Sequence, residues 1–204
     1  MRPRTLTAGT CIAAVCLAPA VAVAHSPIPG IEGFYVGLLH PLSDVAQLLA
    51  LLALAVMLGL GFRQSAAASL AALALSLLIG IILGQFALTA DWLQGGLLVV
   101  AVAAAATSAL LPLLPIMAAV LFALVVGILV GIASTPDPGP LRATLTTLAG
   151  SFVGACLLVL YVAGGVDWLR QTYTQHWVQI GIRVVAAWIG AISVLMTALA
   201  FAGS

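Results

Sequence analysis

Long apolar runs, separated by short polar or proline-rich breaks, dominate the chain. A membrane-spanning helix needs about 20 consecutive apolar residues, and runs of roughly that length recur from residue 44 onward. We predict spans at residues 44–62, 66–88, 95–111, 116–133, 144–164 and 178–201. The clearest breaks are STPDPGP at residues 134–140, which is typical of a loop, and the polar connection GVDWLRQTYTQHW at residues 165–177. The pattern predicts an all-α, polytopic membrane helix bundle with six transmembrane helices.

The beginning of the chain has the organisation of a cleaved signal peptide. Two early arginines precede an apolar stretch at residues 10–23, and Ala22-Val23-Ala24 carries small residues where signal peptidase reads them. Cleavage there would make His25 the new N-terminus, outside the cytoplasmic membrane. An uncleaved anchor helix is the alternative. The predicted organisation is a signal peptide at residues 1–24, an extracytoplasmic segment at 25–43 and a transmembrane domain at 44–204.

Glycines four residues apart recur along the chain. The pairs are Gly33/Gly37, Gly80/Gly84, Gly127/Gly131 and Gly150/Gly154. Small residues at this spacing let helix backbones approach closely in a membrane, where no hydrophobic effect drives helices together. We therefore expect these pairs to lie at helix–helix contacts in a compact bundle.

The amino-acid composition indicates what surrounds this bundle. Charged residues make up 5% of the chain and hydrophobic residues 64%, and the mean hydropathy is +1.31. A soluble domain has about a quarter of its residues charged, so the predicted partner of most of this surface is the lipid bilayer. Lysine is absent and the formal net charge is +1, which leaves no basic surface for nucleic acid.

The arginines predict an orientation in the membrane. With the mature N-terminus outside, Arg63, Arg170 and Arg183 fall on the cytoplasmic side, and Arg142 falls on the outer side. Because positive residues concentrate on the cytoplasmic side of membrane proteins, both mature termini are predicted to be extracytoplasmic. The signal peptide predicts the same orientation, in a bacterial cytoplasmic (inner) membrane.

The segment before the first span can fold in two ways, because residues 31–62 are too long for one span. In the first, the helix starts near Ser43, with Asp44 as its N-cap and Gln47 as the capping-box partner. In the second, a short re-entrant or interfacial segment comes first, with His40 as an N-cap followed by proline at the first helical position.

The second arrangement suggests a metal site. His40 and Asp44 would lie one turn apart on the same helix face, and an imidazole and a carboxylate so placed can share a divalent transition metal. His25 could add its imidazole and its free α-amine, and Glu32 a further carboxylate. The sequence is consistent with either of two roles for Asp44, helix cap or metal ligand.

At GLLHPLSDVAQLLALLALAV the sequence resembles the HupE/UreJ family of membrane proteins, which is regarded as a family of nickel or cobalt permeases. The family pattern at the first helix is roughly His-Pro-x-x-Gly-x-Asp-His-x-Leu. His40 and Pro41 match this pattern. Asp44 stands at its Gly position, and Ala46 and Gln47 replace its Asp-His pair. The fold features of the family cover essentially the whole chain.

A second family motif, His-Gly-x-x-His-Gly in the fourth helix, has kept its glycines and lost its histidines. Gly127 and Gly131 hold the spacing, while Val126 and Val130 stand at the histidine positions. Residues that shape the family's bundle are therefore present, whereas most of its intramembrane metal ligands are absent.

The resemblance implies a transition-metal permease or metal-delivery protein with an outer site at His25, His40 and Asp44, with Glu32 as a further ligand. The expected ion is nickel or cobalt, with copper or zinc as alternatives. The alternative function is that of a non-transporting accessory or scaffold subunit, which binds a membrane-protein partner or a second copy of the chain. No nucleophile–base pair, phosphate loop or carboxylate pair points to an enzyme.

Overall fold

The computed structural model describes residues 33–86, 92–111, 115–136 and 139–202, and every regular element in these ranges is an α-helix. The helices are α1 (Phe34–Ser43), α2 (Val45–Leu60), α3 (Phe62–Gly84), α4 (Trp92–Leu110), α5 (Ile116–Ala133), α6 (Leu141–Thr172) and α7 (His176–Ala202). Helices α3 to α7 are each long and apolar enough to cross a membrane. The pair α1–α2, bent by 79°, makes a sixth span if it is counted as one. The predicted all-α membrane bundle is confirmed.

The helix boundaries follow the predicted spans except where polar residues continue a helix. Helix α5 has the predicted bounds, but α6 runs on to Thr172, so most of the predicted polar connection at residues 165–177 is helical. Asp167 and Gln171, which lie four residues apart, are hydrogen-bonded along this last part of α6. Such pairs stabilise an exposed helix end, and only residues 173–175 connect α6 to α7.

A single residue, Gly61, joins α2 to α3. Its carbonyl oxygen accepts hydrogen bonds from the N–H groups of Gln64 at 3.1 Å and Ser65 at 3.2 Å. Arg63 and Gln64, which lie between the predicted spans 44–62 and 66–88, are therefore in the first turn of α3. The turn is tight because the helix hydrogen bonds of α3 begin immediately after those of α2 end.

Helix α2 is the most enclosed element in the described part of the chain. It contacts all of the other six helices, and nearly all of its residues are buried. Leu51 and Leu54 have no exposed surface and Leu58 has 1%. The longer helices each keep a broad apolar face exposed, as expected for helices that contact lipid. Helix α2 is therefore the packing axis of the bundle.

Two of the glycine pairs meet each other between α3 and α5. A Cβ atom on Gly131 would lie 2.5 Å from the carbonyl oxygen of Leu77 and 2.8 Å from the Cα atom of Gly80. Ser76 of α3 donates a hydrogen bond to the carbonyl oxygen of Ala123 in α5, at 3.3 Å. These backbones approach so closely that only glycine fits at the contact.

The other two pairs meet between α1 and α6. Cβ atoms on Gly150 and Gly154 would collide with backbone atoms of Phe34 and Leu38, and one on Gly37 would collide with the backbone of Thr147. All four glycine pairs therefore lie at helix–helix contacts, as predicted. These contacts fix α1 against α6 and so hold the segment that contains His40 against the rest of the bundle.

Candidate metal site at the bend between α1 and α2

Asp44 forms the bend at which α1 ends and α2 begins. Its backbone is extended, with φ −90° and ψ 117°, and its N–H donates to the carbonyl oxygen of His40 at 3.3 Å. Its side-chain Oδ1 accepts the backbone N–H of Gln47 at 2.9 Å. The prediction that Asp44 caps the first long helix is therefore confirmed, and its carboxylate satisfies one of the free N–H groups of α2.

The two predicted arrangements of this segment are each half correct. A short helix does precede the first long one, but His40 lies in the last turn of α1, so it is not an N-cap. Pro41 likewise lies inside α1 and not at its first position. The short helix continues past His40 to Ser43, and Gly37 lets its backbone pack directly against α6.

Gln47 does not complete a capping box with its side chain. Its Nε2 lies 3.5 Å from the carbonyl oxygen of Ala133, and its Oε1 accepts a hydrogen bond from Ser134 at 3.4 Å. Only 1% of Gln47 is exposed, so the amide links the first turn of α2 to the end of α5. This link places a buried polar group directly beside the bend.

His40 has a nitrogen whose hydrogen bonding is incomplete. Its Nε2 is buried, and no group in the described residues lies within hydrogen-bonding distance of it. Leaving a buried polar atom unpaired costs about 1–3 kcal/mol, and such an atom in a folded protein calls for an explanation such as a bound ion. A neutral imidazole nitrogen is also the commonest metal ligand in proteins.

The predicted ligands divide between described and undescribed parts of the chain. His40 and Asp44 lie at the bend, separated by one helical turn of backbone, whereas His25 and Glu32 lie outside the described residues, as does the predicted signal peptide. Within residues 33–86, 92–111, 115–136 and 139–202, no group of three or more His, Cys, Asp or Glu side chains could hold a metal. Of the four predicted ligands, the described residues thus contain a borderline nitrogen and a hard oxygen, a pair of donor types that nickel, cobalt, copper or zinc can bind.

Helix α2 is apolar below the bend. From Leu48 to Leu60 the side chains of α2 carry no polar group. Val126 and Val130 of α5, which stand at the histidine positions of the second motif, are fully buried. A dication that leaves water for an apolar medium loses a large hydration energy unless ligands replace that water. In this conformation the described helices offer no such series of ligands through the interior.

The opposite end of α2 has its own polar groups. Arg170 of α6 donates to the carbonyl oxygen of Leu60, the last residue of α2, and Arg63 of α3 donates to the side chain of Gln171. Arg63 and Arg170 therefore lie at the same end of the bundle, as the sequence predicted. Trp168 and Tyr173 stack edge to face nearby, with ring centroids 6.1 Å apart, and such aromatic residues typically mark a membrane–water boundary.

Comparison with known proteins found no match for this chain among family models, curated proteins or solved structures. The resemblance to the HupE/UreJ family therefore depends on the residues of the sequence itself.

Proposed function

We propose that this chain is a HupE/UreJ-like protein of the bacterial inner membrane that binds a divalent transition metal at the bend between α1 and α2. The observation that carries the proposal is the buried Nε2 of His40, which has no hydrogen-bond partner among the described residues. A bound cation would accept the lone pair of this nitrogen, and Asp44 would supply a neighbouring carboxylate. The expected cargo is nickel or cobalt, which the protein either delivers to a partner or admits to the membrane as a permease.

The orientation is part of this proposal. Arg63 and Arg170 lie at the end of the bundle opposite to the bend, and positive residues favour the cytoplasmic side. The bend would then face the outside of the cell, together with the mature N-terminus.

The proposal predicts one metal ion per chain. The full chain, purified in detergent, should bind nickel or cobalt stoichiometrically in a calorimetric titration that also includes copper and zinc. Loss of a residue that only supports a ligand costs about 10–100-fold in metal affinity, so His40→Ala, which removes a ligand, should cost at least about 100-fold. His176→Ala is the matched control, because His176 is exposed at the start of α7. Wild-type protein that binds none of the four ions would refute the proposal.

The substitution Asp44→Asn separates the capping role of Asp44 from a role as ligand. Asn caps helices as well as Asp does, whereas Ala does not. Asp44→Asn should therefore keep the thermal stability of the protein and lose metal affinity, because the charged oxygen is gone. An Asp44→Asn protein that binds metal as tightly as the wild type would show that Asp44 is only a cap.

A second candidate function is that of a non-transporting accessory subunit of a membrane complex. The composition of the innermost helix favours it, because α2 carries no polar side chain between Leu48 and Leu60. Proteoliposomes loaded with a metal-sensitive dye distinguish the two functions. Metal binding without metal entry favours a delivery or accessory role, and entry that His40→Ala abolishes favours a permease.

A further inference from the structure

A cavity of about 200 Å³ opens at the corner between α2 and α3, at the end of the bundle opposite to the metal site. It is lined by residues 60–64 together with Asp167 and Arg170 of α6. Since one water molecule takes up about 30 Å³ of liquid, the cavity has room for a group of several heavy atoms. We call it the arginine pocket, because Arg63 and Arg170 are its two cationic residues.

The arginines are held in place by neutral groups. Arg170 donates to the carbonyl oxygen of Leu60, and Arg63 donates to the amide oxygen of Gln171. The other end of that amide donates to Asp167, so Gln171 stands between the carboxylate and the guanidinium of Arg63. Each guanidinium has five N–H donors and uses one of them in these contacts, which leaves donors available to a ligand.

The two helix ends at the pocket have opposite effects on its electrostatic potential. The first turn of α3, whose N-cap is Gly61 and which no side chain caps, forms one wall and favours an anion. The last residue of α2, Leu60, also lines the pocket, and the hydrogen bond that Arg170 donates to its carbonyl oxygen offsets part of the negative end of that helix dipole. With Asp167 counted, the formal charge of the lining residues is still +1, from two arginines and one aspartate.

The pocket also lies at the level where lipid headgroups are expected. It is at the end of α2 and the start of α3, and α3 is apolar enough to span a membrane. Trp168 lies between the pocket residues Asp167 and Arg170 on α6 and stacks against Tyr173, the residue after the helix end, as expected for an aromatic belt. Basic pockets between membrane helices bind the phosphate groups of anionic lipids.

We propose that the arginine pocket binds the phosphate group of an anionic phospholipid of the surrounding bilayer. Arg63 and Arg170 bind the phosphate oxygens, and the uncapped start of α3 faces the same group. The acyl chains lie along the apolar outer faces of the neighbouring helices. This site is independent of the metal site, because the two lie at opposite ends of α2.

Spin-labelled lipids test the proposal on the full chain reconstituted in phosphatidylcholine vesicles. Electron paramagnetic resonance gives the association of labelled phosphatidylglycerol relative to labelled phosphatidylcholine. The wild type should prefer phosphatidylglycerol, and Arg63→Gln should lower the ratio about fivefold, the effect of one arginine near an anionic headgroup. Arg142→Gln is the matched control, since Arg142 is exposed at the start of α6 and lies outside the pocket, and its ratio should fall less than that of Arg63→Gln.

Two further measurements distinguish lipid binding in the pocket from the effects of misfolding and from binding of free phosphate. Asp167→Asn removes the one negative charge of the pocket and should raise the preference for phosphatidylglycerol, which a merely misfolded variant would not do. Inorganic phosphate, compared with chloride at equal ionic strength, should not displace the labelled lipid. Equal association of the two lipids with the wild type, an equal loss in Arg142→Gln, or displacement by inorganic phosphate would each overturn the proposal.

Discussion

Gly131→Val is expected to prevent stable packing of α3 against α5 and to lower the stability of the whole bundle. A Cβ atom at Gly131 would lie 2.5 Å from the carbonyl oxygen of Leu77 and 2.8 Å from the Cα atom of Gly80. Both are backbone atoms, so no change of rotamer relieves the overlap, and the two helices must separate. Overpacking costs about 1–3 kcal/mol or more, and valine adds two methyl groups beyond Cβ, so we expect a loss of about 3 kcal/mol or more.

The measurement is the midpoint of unfolding by a denaturing detergent in mixed micelles, followed by circular dichroism. Gly181→Val is the matched control, because nothing lies within 4 Å of a Cβ at Gly181 on the exposed side of α7. It makes the same change of residue in a helix without the steric overlap. Equal midpoints for Gly131→Val and Gly181→Val would contradict the close contact between α3 and α5.

Gly37→Val is expected to release α1 from α6 while the remaining helices stay assembled. A Cβ atom at Gly37 would overlap the backbone of Thr147 and lie 3.0 Å from the backbone nitrogen of Ser151. Among the described helices, α1 packs chiefly against α6, so its loss does not open the interior around α2. Loss of a contact that orients a metal ligand lowers metal affinity about 10–100-fold. Because His40 is in the last turn of α1, we expect the metal affinity of Gly37→Val to fall at least about tenfold.

Limited proteolysis and metal titration together test this prediction. In Gly37→Val the segment containing α1 should be cleaved rapidly, whereas helices α3 to α7 remain protected. Gly164→Val in α6 is the control, since a Cβ there meets nothing within 4 Å. Unchanged metal affinity in a variant whose α1 is cleaved would mean that α1 does not hold the site.

The sequence predicted the helices and their closest contacts because both depend on local features. Apolar length alone defines a span, and α5 has the predicted bounds. The spacing of Gly127 and Gly131 was enough to predict a close contact, which the structure places against α3. The extension of α6 to Thr172 was missed, since a polar stretch at a membrane surface can continue a helix or end it.

Other features depend on partners that are distant in sequence. All predicted spans are strongly apolar, so hydropathy does not distinguish a helix that contacts lipid from one, like α2, that is almost entirely buried in protein. The capping role of Asp44 was predictable because its partner is three residues away. The link from Gln47 to Ser134 joins residues 87 positions apart, and a buried amide in the sequence gives no indication of which loop it reaches.

The proposed function depends on coordination of a metal ion by the imidazole of His40 at the bend between α1 and α2. Pulsed electron paramagnetic resonance with Cu²⁺, the divalent ion that nitrogen ligands bind most tightly, counts the imidazoles coupled to the metal. The wild type should bind one Cu²⁺ with His40 coordinated, so His40→Gln should lose one coupled imidazole and His176→Gln none. An unchanged number of imidazoles in His40→Gln, or a wild type without any, would contradict the proposal.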